Sequence, residues 1–368
     1  MRPREILSEA FRNVWTGVSR PLILALAFAL LVGGMVILDL RTVVGVNRQI
    51  TQWRASGASV TVVYAPGGID GAACEALAGA AGIVASGATR QREHNLSLPA
   101  LPLGAPSYVE VTPGFARLIA TAAGGSQTPY AATPEYLARG GLLLADSLAA
   151  TLNRGPGSTL VTGEGEALVA GAYATPDDGR QNLFSYSVLA QVPAEGRFDY
   201  CWAEVWPPDS TAASLLLTVA DVNQPEVELR VDQFNARFGT ELDPAALYRD
   251  RVTRFTPAVV ALAGLLLGLV GVRLRRLEFA SALHAGVSRP ALALQVTIET
   301  GVWLALGLVL AAPAVWFAAY SGNSLPAGPW AAPTGVAAAF AVAGTLTGVV
   351  IGLALTREEH LFRYFKNR

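Results

Sequence analysis

The three histidines, His94, His284 and His360, stand in separate stretches of the 368-residue chain. No His-x-x-x-His, paired-cysteine cluster or Gly-x-Ser-x-Gly occurs. The sequence therefore offers no set for metal or nucleophilic chemistry, and a non-catalytic chain is expected. The glycine turn Gly155-Pro156-Gly157 is followed by no Gly-Lys-Ser/Thr, so it is not a phosphate loop. Asp177-Asp178 reads as a solvated turn, and Asn95-Leu96-Ser97 as a chance match to a glycosylation acceptor. Cys74 and Cys201 have no metal or redox spacing. A disulfide between them suits an oxidising compartment, and two buried free thiols fit as well. What remains is ion-pair chemistry beside apolar runs. Arg273, Arg275 and Arg276 precede Glu278, and Glu299 lies at the start of a long apolar stretch. An ionisable group there is a functional candidate by default. Snorkelling, or pairing with an arginine of the preceding stretch, is its plainer role.

Positioning these charges falls to apolar helices. The chain is 52% hydrophobic and only 15% charged, against roughly 25% charged for soluble domains. Net charge is −1, which gives no general attraction to nucleic acid. Apolar runs at 21–40, 257–272, 296–320 and 333–355 read as membrane spans, since about 20 residues cross the hydrocarbon. No small-x-small cleavage site follows the first run, so it reads as uncleaved. Residues 1–20 carry Ile6, Leu7, Ala10, Phe11, Val14 and Trp15 as a helical stripe, an amphipathic helix along the membrane face. Basic residues precede span one, follow span two and fill the 356–368 tail (Arg357, Arg363, Lys366, Arg368), while 321–332 has no charge. Both termini are thus expected in the cytoplasm and residues 41–255 outside. Gly264 and Gly268, and Gly344, Gly348 and Gly352, recur every four residues, which allows close helix approach; glycine is also simply common in membrane helices. Four spans are too few to enclose a pathway, so a dimer is implied.

The expected fold is a membrane protein of four transmembrane α-helices with an α+β extracytoplasmic domain inserted between the first and second spans. Two helical stems flank that domain. Val43, Val46, Ile50 and Trp53 step by three and four, as do Ala245, Tyr248, Val252 and Phe255. Facing each other they would form a stalk; packed separately they would be core. Asp243 and Pro244 mark the second stem's start. Between the stems, strands are expected at 59–64 (ended by Pro66-Gly67-Gly68), 82–85, 107–111, 186–192, 200–206 and 227–231. Helices are expected after Asp70, at 113–122 and at 209–217. The breaks at 98–106 and Gly124-Gly125 divide the first of two lobes, and the second begins near Gly141.

The stretch 273–290 holds the short helix Arg276 to Ala285, with Leu277, Ala280, Leu283 (or His284) and Val287 as its apolar face, Gly286 ending it and Ser288-Arg289-Pro290 starting the next. Arg276, Glu278, Ala282, Leu283, Gly286, Ser288, Arg289, Gln295 and Glu299 resemble the coupling segment of the FtsX/MacB/LolC class of ABC-transporter permeases, from which His284 and Pro290 depart. Residues 142–160 resemble the strand, helix and glycine turn of the MacB-type outer domain. The resemblance implies a multi-pass permease of the bacterial inner membrane. It would couple to a cytosolic ABC ATPase dimer through Arg276, Glu278, Leu283, Gly286 and Arg289, with ATP and magnesium on that partner and no cofactor on this chain. Force would pass to the outer domain rather than open a channel. The implied substrates of such mechanotransmission are peptides, antibiotics or lipoproteins. The implied outer partners are an adaptor, a lipoprotein or, in an FtsX-like alternative, a cell-wall hydrolase that the chain regulates.

Overall fold

The computed structural model describes residues 3–121, 127–221, 228–239, 241–321, 328–357 and 359. The Gly124-Gly125 loop, Val227, residues 322–327 of the 321–332 loop and Arg363, Lys366 and Arg368 lie outside them. The chain divides into two units, residues 1–48 with 245–368, and residues 49–244.

In chain order the helices and strands begin with α1 (Pro3–Trp15) and α2 (Pro21–Phe28), then a π-helical turn (Ala29–Gly33) and α3 (Gly34–Ala55). The second unit holds β1 (Val60–Asp70), α4 (Gly71–Ala76), β2 (Ile83–Gln91), β3 (Ser107–Val111), α5 (Pro113–Thr121), α6 (Pro134–Arg139), β4 (Leu142–Ala145) and α7 (Asp146–Leu152). It continues with β5 (Thr159–Thr162), β6 (Gly165–Tyr173), β7 (Ser187–Gln191), β8 (Arg197–Val205), α8 (Ser210–Ser214) and β9 (Arg230–Gln233). The chain closes with α9 (Pro244–Arg249), α10 (Thr256–Leu274), α11 (Arg276–His284), α12 (Arg289–Tyr320) and α13 (Gly328–Ala354).

Among the described residues four helical stretches are long and apolar enough to cross a membrane: Pro21–Ala55, Val252–Leu274, Arg289–Tyr320 and Trp330–Ala354. They overlap all four runs read from the sequence, and in chain order the α+β unit runs from the end of the first stretch to just before the second. The five spaced glycines form one seam. A Cβ on Gly344 would lie 2.1 Å from the Ala261 carbonyl oxygen, and one on Gly348 2.0 Å from that of Leu265. From the other side, a Cβ on Gly264 would lie 2.4 Å from the Ala341 oxygen, and one on Gly268 2.2 Å from that of Thr345. Gly352 abuts Val272. Residue numbers rise together along both helices, so α10 and α13 run parallel. Only hydrogen at these positions allows such backbone contact, and the abundance of glycine alone does not account for it. On α12, Trp303 packs edge-on to Phe28 of α2, with ring centroids 6.2 Å apart.

The sheet unit departs from the expected pair of lobes. Among the described residues nine strands make one sheet, in the order β5-β6-β4-β7-β3-β2-β8-β1-β9. The joint is β7, parallel to β3 on one side and antiparallel to β4 on the other. Its burial explains this: Ser187, Val188, Leu189 and Ala190 are all buried, as an interior strand requires. Pro66-Gly67-Gly68 does not end β1 either; pairing with β8 shifts register between Tyr64 and Ile69 and resumes to Asp70. Asp70 caps α4 as expected, accepting from the Ala73 N–H at 3.0 Å. Cys74 of α4 and Cys201 of β8 are joined in a disulfide, both fully buried.

Trp202 sits inside the larger core, ringed by Phe115, Phe184 and Phe234 at centroid distances of 5.3–5.5 Å, and its Nε1–H donates to Thr89 Oγ1 at 3.0 Å. Aromatic pairs of this kind add to plain burial.

Candidate functional site

The site lies in the α10–α12 connection. Val272 and Arg275 end α10, and the Arg275 N–H donates back to the Val272 carbonyl at 3.1 Å. After nine residues α11 stops at Gly286, whose φ of +88° suits a residue without a Cβ. The next N–H groups close the turn: Gly286 to the Leu283 oxygen at 3.0 Å, Val287 to that of Ala282 at 3.1 Å. Ser288 and Pro290 then open α12, as the sequence indicates.

One face of α11 is docked on the membrane helices. Phe279 and Ala280 are buried, and Phe279 clusters with Val272, Leu292, Val296 and Val349. Leu283 and Val287 pack against the same cluster. Leu283, expected as the partner-facing anchor, is half-buried, with part of its side chain on the protein's own spans. Phe279, one position off the expected stripe, is the principal knob. Glu278, Ser281, His284, Gly286, Ser288 and Arg289 are exposed, and Arg276 is half-buried. Of the five coupling residues expected, Glu278, Gly286 and Arg289 thus form surface.

Behind that surface is a buried ion pair. Glu299, 2% exposed, receives Arg275 Nη1 on Oε2. Its Oε1 accepts from Gln295 Nε2 at 3.1 Å and from Asn13 Nδ2 of α1 at 2.8 Å. Arg275 Nε donates to Glu278 Oε2 at 2.8 Å, and the guanidinium lies 4.8 Å from the Phe279 ring centroid. A buried carboxylate is tolerated only with this degree of pairing. A cavity of about 20 Å³ adjoins the pair, bordered by Gly268, Gly271, Thr300 and Trp303; that is room for one water. Arg275 and Asn13 were not among the expected site residues. The available signal was Glu299 itself, an acid in a span that must find a cation.

At the other end of the membrane unit, buried Asp39 accepts from Arg251 Nε at 3.2 Å, and Arg251 Nη1 donates to the Tyr248 carbonyl at 2.9 Å. Here the stalk expectation is corrected in part. Val43 and Tyr248 do share a cluster, with Leu40, Val44 and Trp330, and Val46 is half-buried. Val252, however, is 93% exposed and lies in a separate 3₁₀ turn, Val252–Phe255. The second stem is not one helix: α9 ends at Arg249, and Arg251 is extended. Pro257 explains the new start, because it lacks the N–H that a helix running through would donate to Thr253. In the sheet unit, Ile50 is half-buried. Trp53 packs on Trp206 at 6.2 Å and donates to the Gly239 oxygen at 3.3 Å.

Among the described residues no group of three His, Cys, Asp or Glu side chains could hold a metal ion. No family model matches the sequence, and no curated protein matches it. Among solved structures, the chain is similar to the periplasmic region of MacB from Actinobacillus actinomycetemcomitans, at 9% identity over 50% of this chain and 94% of that one, with a TM-score of 0.36. A likeness that distant leaves the function to be argued from this chain's own residues.

Proposed function

We propose that this multi-pass membrane protein is the non-catalytic permease subunit of an ABC-type system, taking force from a separate cytosolic ATPase and passing it to its sheet unit. The observation that carries the reading is α11: a nine-residue helix between two spans, its apolar face fixed to the membrane unit and its polar face exposed beside a buried Arg–Glu pair. A helix held this way moves with the spans when a partner pushes on it. ATP and magnesium belong to that partner. The disulfide in the sheet unit supports placing that unit in an oxidising, extracytoplasmic compartment, with both termini on the cytoplasmic side of a bacterial inner membrane. Export or extraction of a peptide, antibiotic or lipoprotein is the work such a subunit would do, as one of two permease copies or homologues.

The test is purification of the tagged chain with identification of what comes with it by mass spectrometry. A protein carrying an ATP-binding Gly-Lys-Ser/Thr loop, lost when Ser281, His284 and Ser288 are together replaced by bulky residues, is expected. Retention of such an ATPase by that triple variant sinks the reading. Orientation is checked by single cysteines in intact cells: Thr133→Cys should react with an impermeant thiol reagent and Ser288→Cys should not.

A further inference from the structure

We propose that Arg275 is a cation shared between the exposed carboxylate of Glu278 and the buried one of Glu299, and that the α11 face around Glu278 receives a basic side chain of the cytosolic partner, so that docking is transmitted to α1. This rests on the reading of α11 as the ATPase contact. A guanidinium presents donors on two edges, and here each edge is taken by a different carboxylate: Nε by Glu278, Nη1 by Glu299. The Arg275 side chain is only 9% exposed and is held over the Phe279 ring, within reach of both carboxylates. Glu299 holds α1 through Asn13 and the body of α12 through Gln295. Glu278 is the outward end of the chain of contacts, its side chain 51% exposed. A carboxylate is an acceptor only, so the partner group it favours is a lysine or arginine. Such a group competes with Arg275 for Glu278. What Glu278 releases, Glu299 takes up, and Asn13 on α1 shares that carboxylate. The contact surface therefore reports to α1 through three polar side chains.

Hydrogen exchange of the full-length protein, followed by mass spectrometry, tests this. Glu299→Gln, which keeps shape and removes charge, should raise exchange of α1 and α11 together, on the order of tenfold. Glu278→Gln should raise that of α11 alone. Asn13→Ala cuts only the branch to α1 and should release α1 while α11 stays protected, which keeps the test open if Glu299→Gln fails to fold. With the co-purified ATPase bound, α1 of the wild type should change its exchange, and α1 of Glu278→Gln should not. Loosening of α11 without α1 in Glu299→Gln, or an ATPase-dependent change in α1 that survives Glu278→Gln, overturns the proposal and leaves the reading of the site intact. A wild-type chain that binds no ATPase overturns both.

Discussion

The membrane unit buries an ion pair at each end, and the two are built differently. At the α11 end, Glu299 collects three donors from three segments and shares its arginine with a surface carboxylate. At the α9 end, Asp39 has Arg251, and Arg251 spends its other contact on a carbonyl four positions from Val252. The first arrangement ties three segments to one another and to the surface. The second pins a chain break in place. Both cost desolvation, so neither is an economical way to gain stability.

Removing one partner from each pair separates them. Glu299→Ala leaves Arg275 buried without its main acceptor and is expected to destabilise the protein by about 3–5 kcal/mol, read as a fall in the thermal midpoint in detergent. Between the ends runs the glycine seam, and Gly348→Leu should cost about 1–3 kcal/mol by overpacking, since its Cβ alone would meet the Leu265 oxygen at 2.0 Å. Because the seam spans α10 and α13, this variant should loosen both ends alike in hydrogen exchange; loosening of one end only would show that the seam is local packing. Asp39→Asn keeps an acceptor for Arg251 and should cost about 1–2 kcal/mol, confined to α9 and the end of α3. An effect as large as that of Glu299→Ala would erase the distinction between the two pairs.

How much of this was legible in the sequence follows from the range of the interactions. The four spans, α11 and its glycine stop were legible because each rests on local composition, periodicity or cap chemistry. So was the seam, since Gly344, Gly348 and Gly352 state their spacing outright. The single sheet was not, because β7 joins β3 and β4 by pairings that no local pattern encodes. The depth of α11's docking was not legible for a related reason. Leu283 lies on an apolar stripe, and a stripe does not say how much of it the protein's own helices cover. Arg275 went unchosen among three nearby arginines because only the fold shows which of them meets Glu299.

Val252 carries the smallest expected effect and tests the α9 end most directly. Its spacing from Tyr248 placed it on a continuous second stem. The structure places it in a separate turn, 93% exposed. Tyr248 and Val43 instead belong to a cluster with Leu40 and Trp330. Substitutions at exposed positions away from such features usually change stability by no more than about 0.5 kcal/mol. Val252→Ser should therefore be near neutral. Val43→Ser introduces a hydroxyl into a buried site and should cost about 1–3 kcal/mol. Measured side by side as thermal midpoints of the purified protein, the two should differ clearly. Equal losses would mean that Val252 is packed and that the second stem is a helix after all. The Asp39–Arg251 pair would then brace a stalk, and its contrast with the α11 network would be one of position rather than of design.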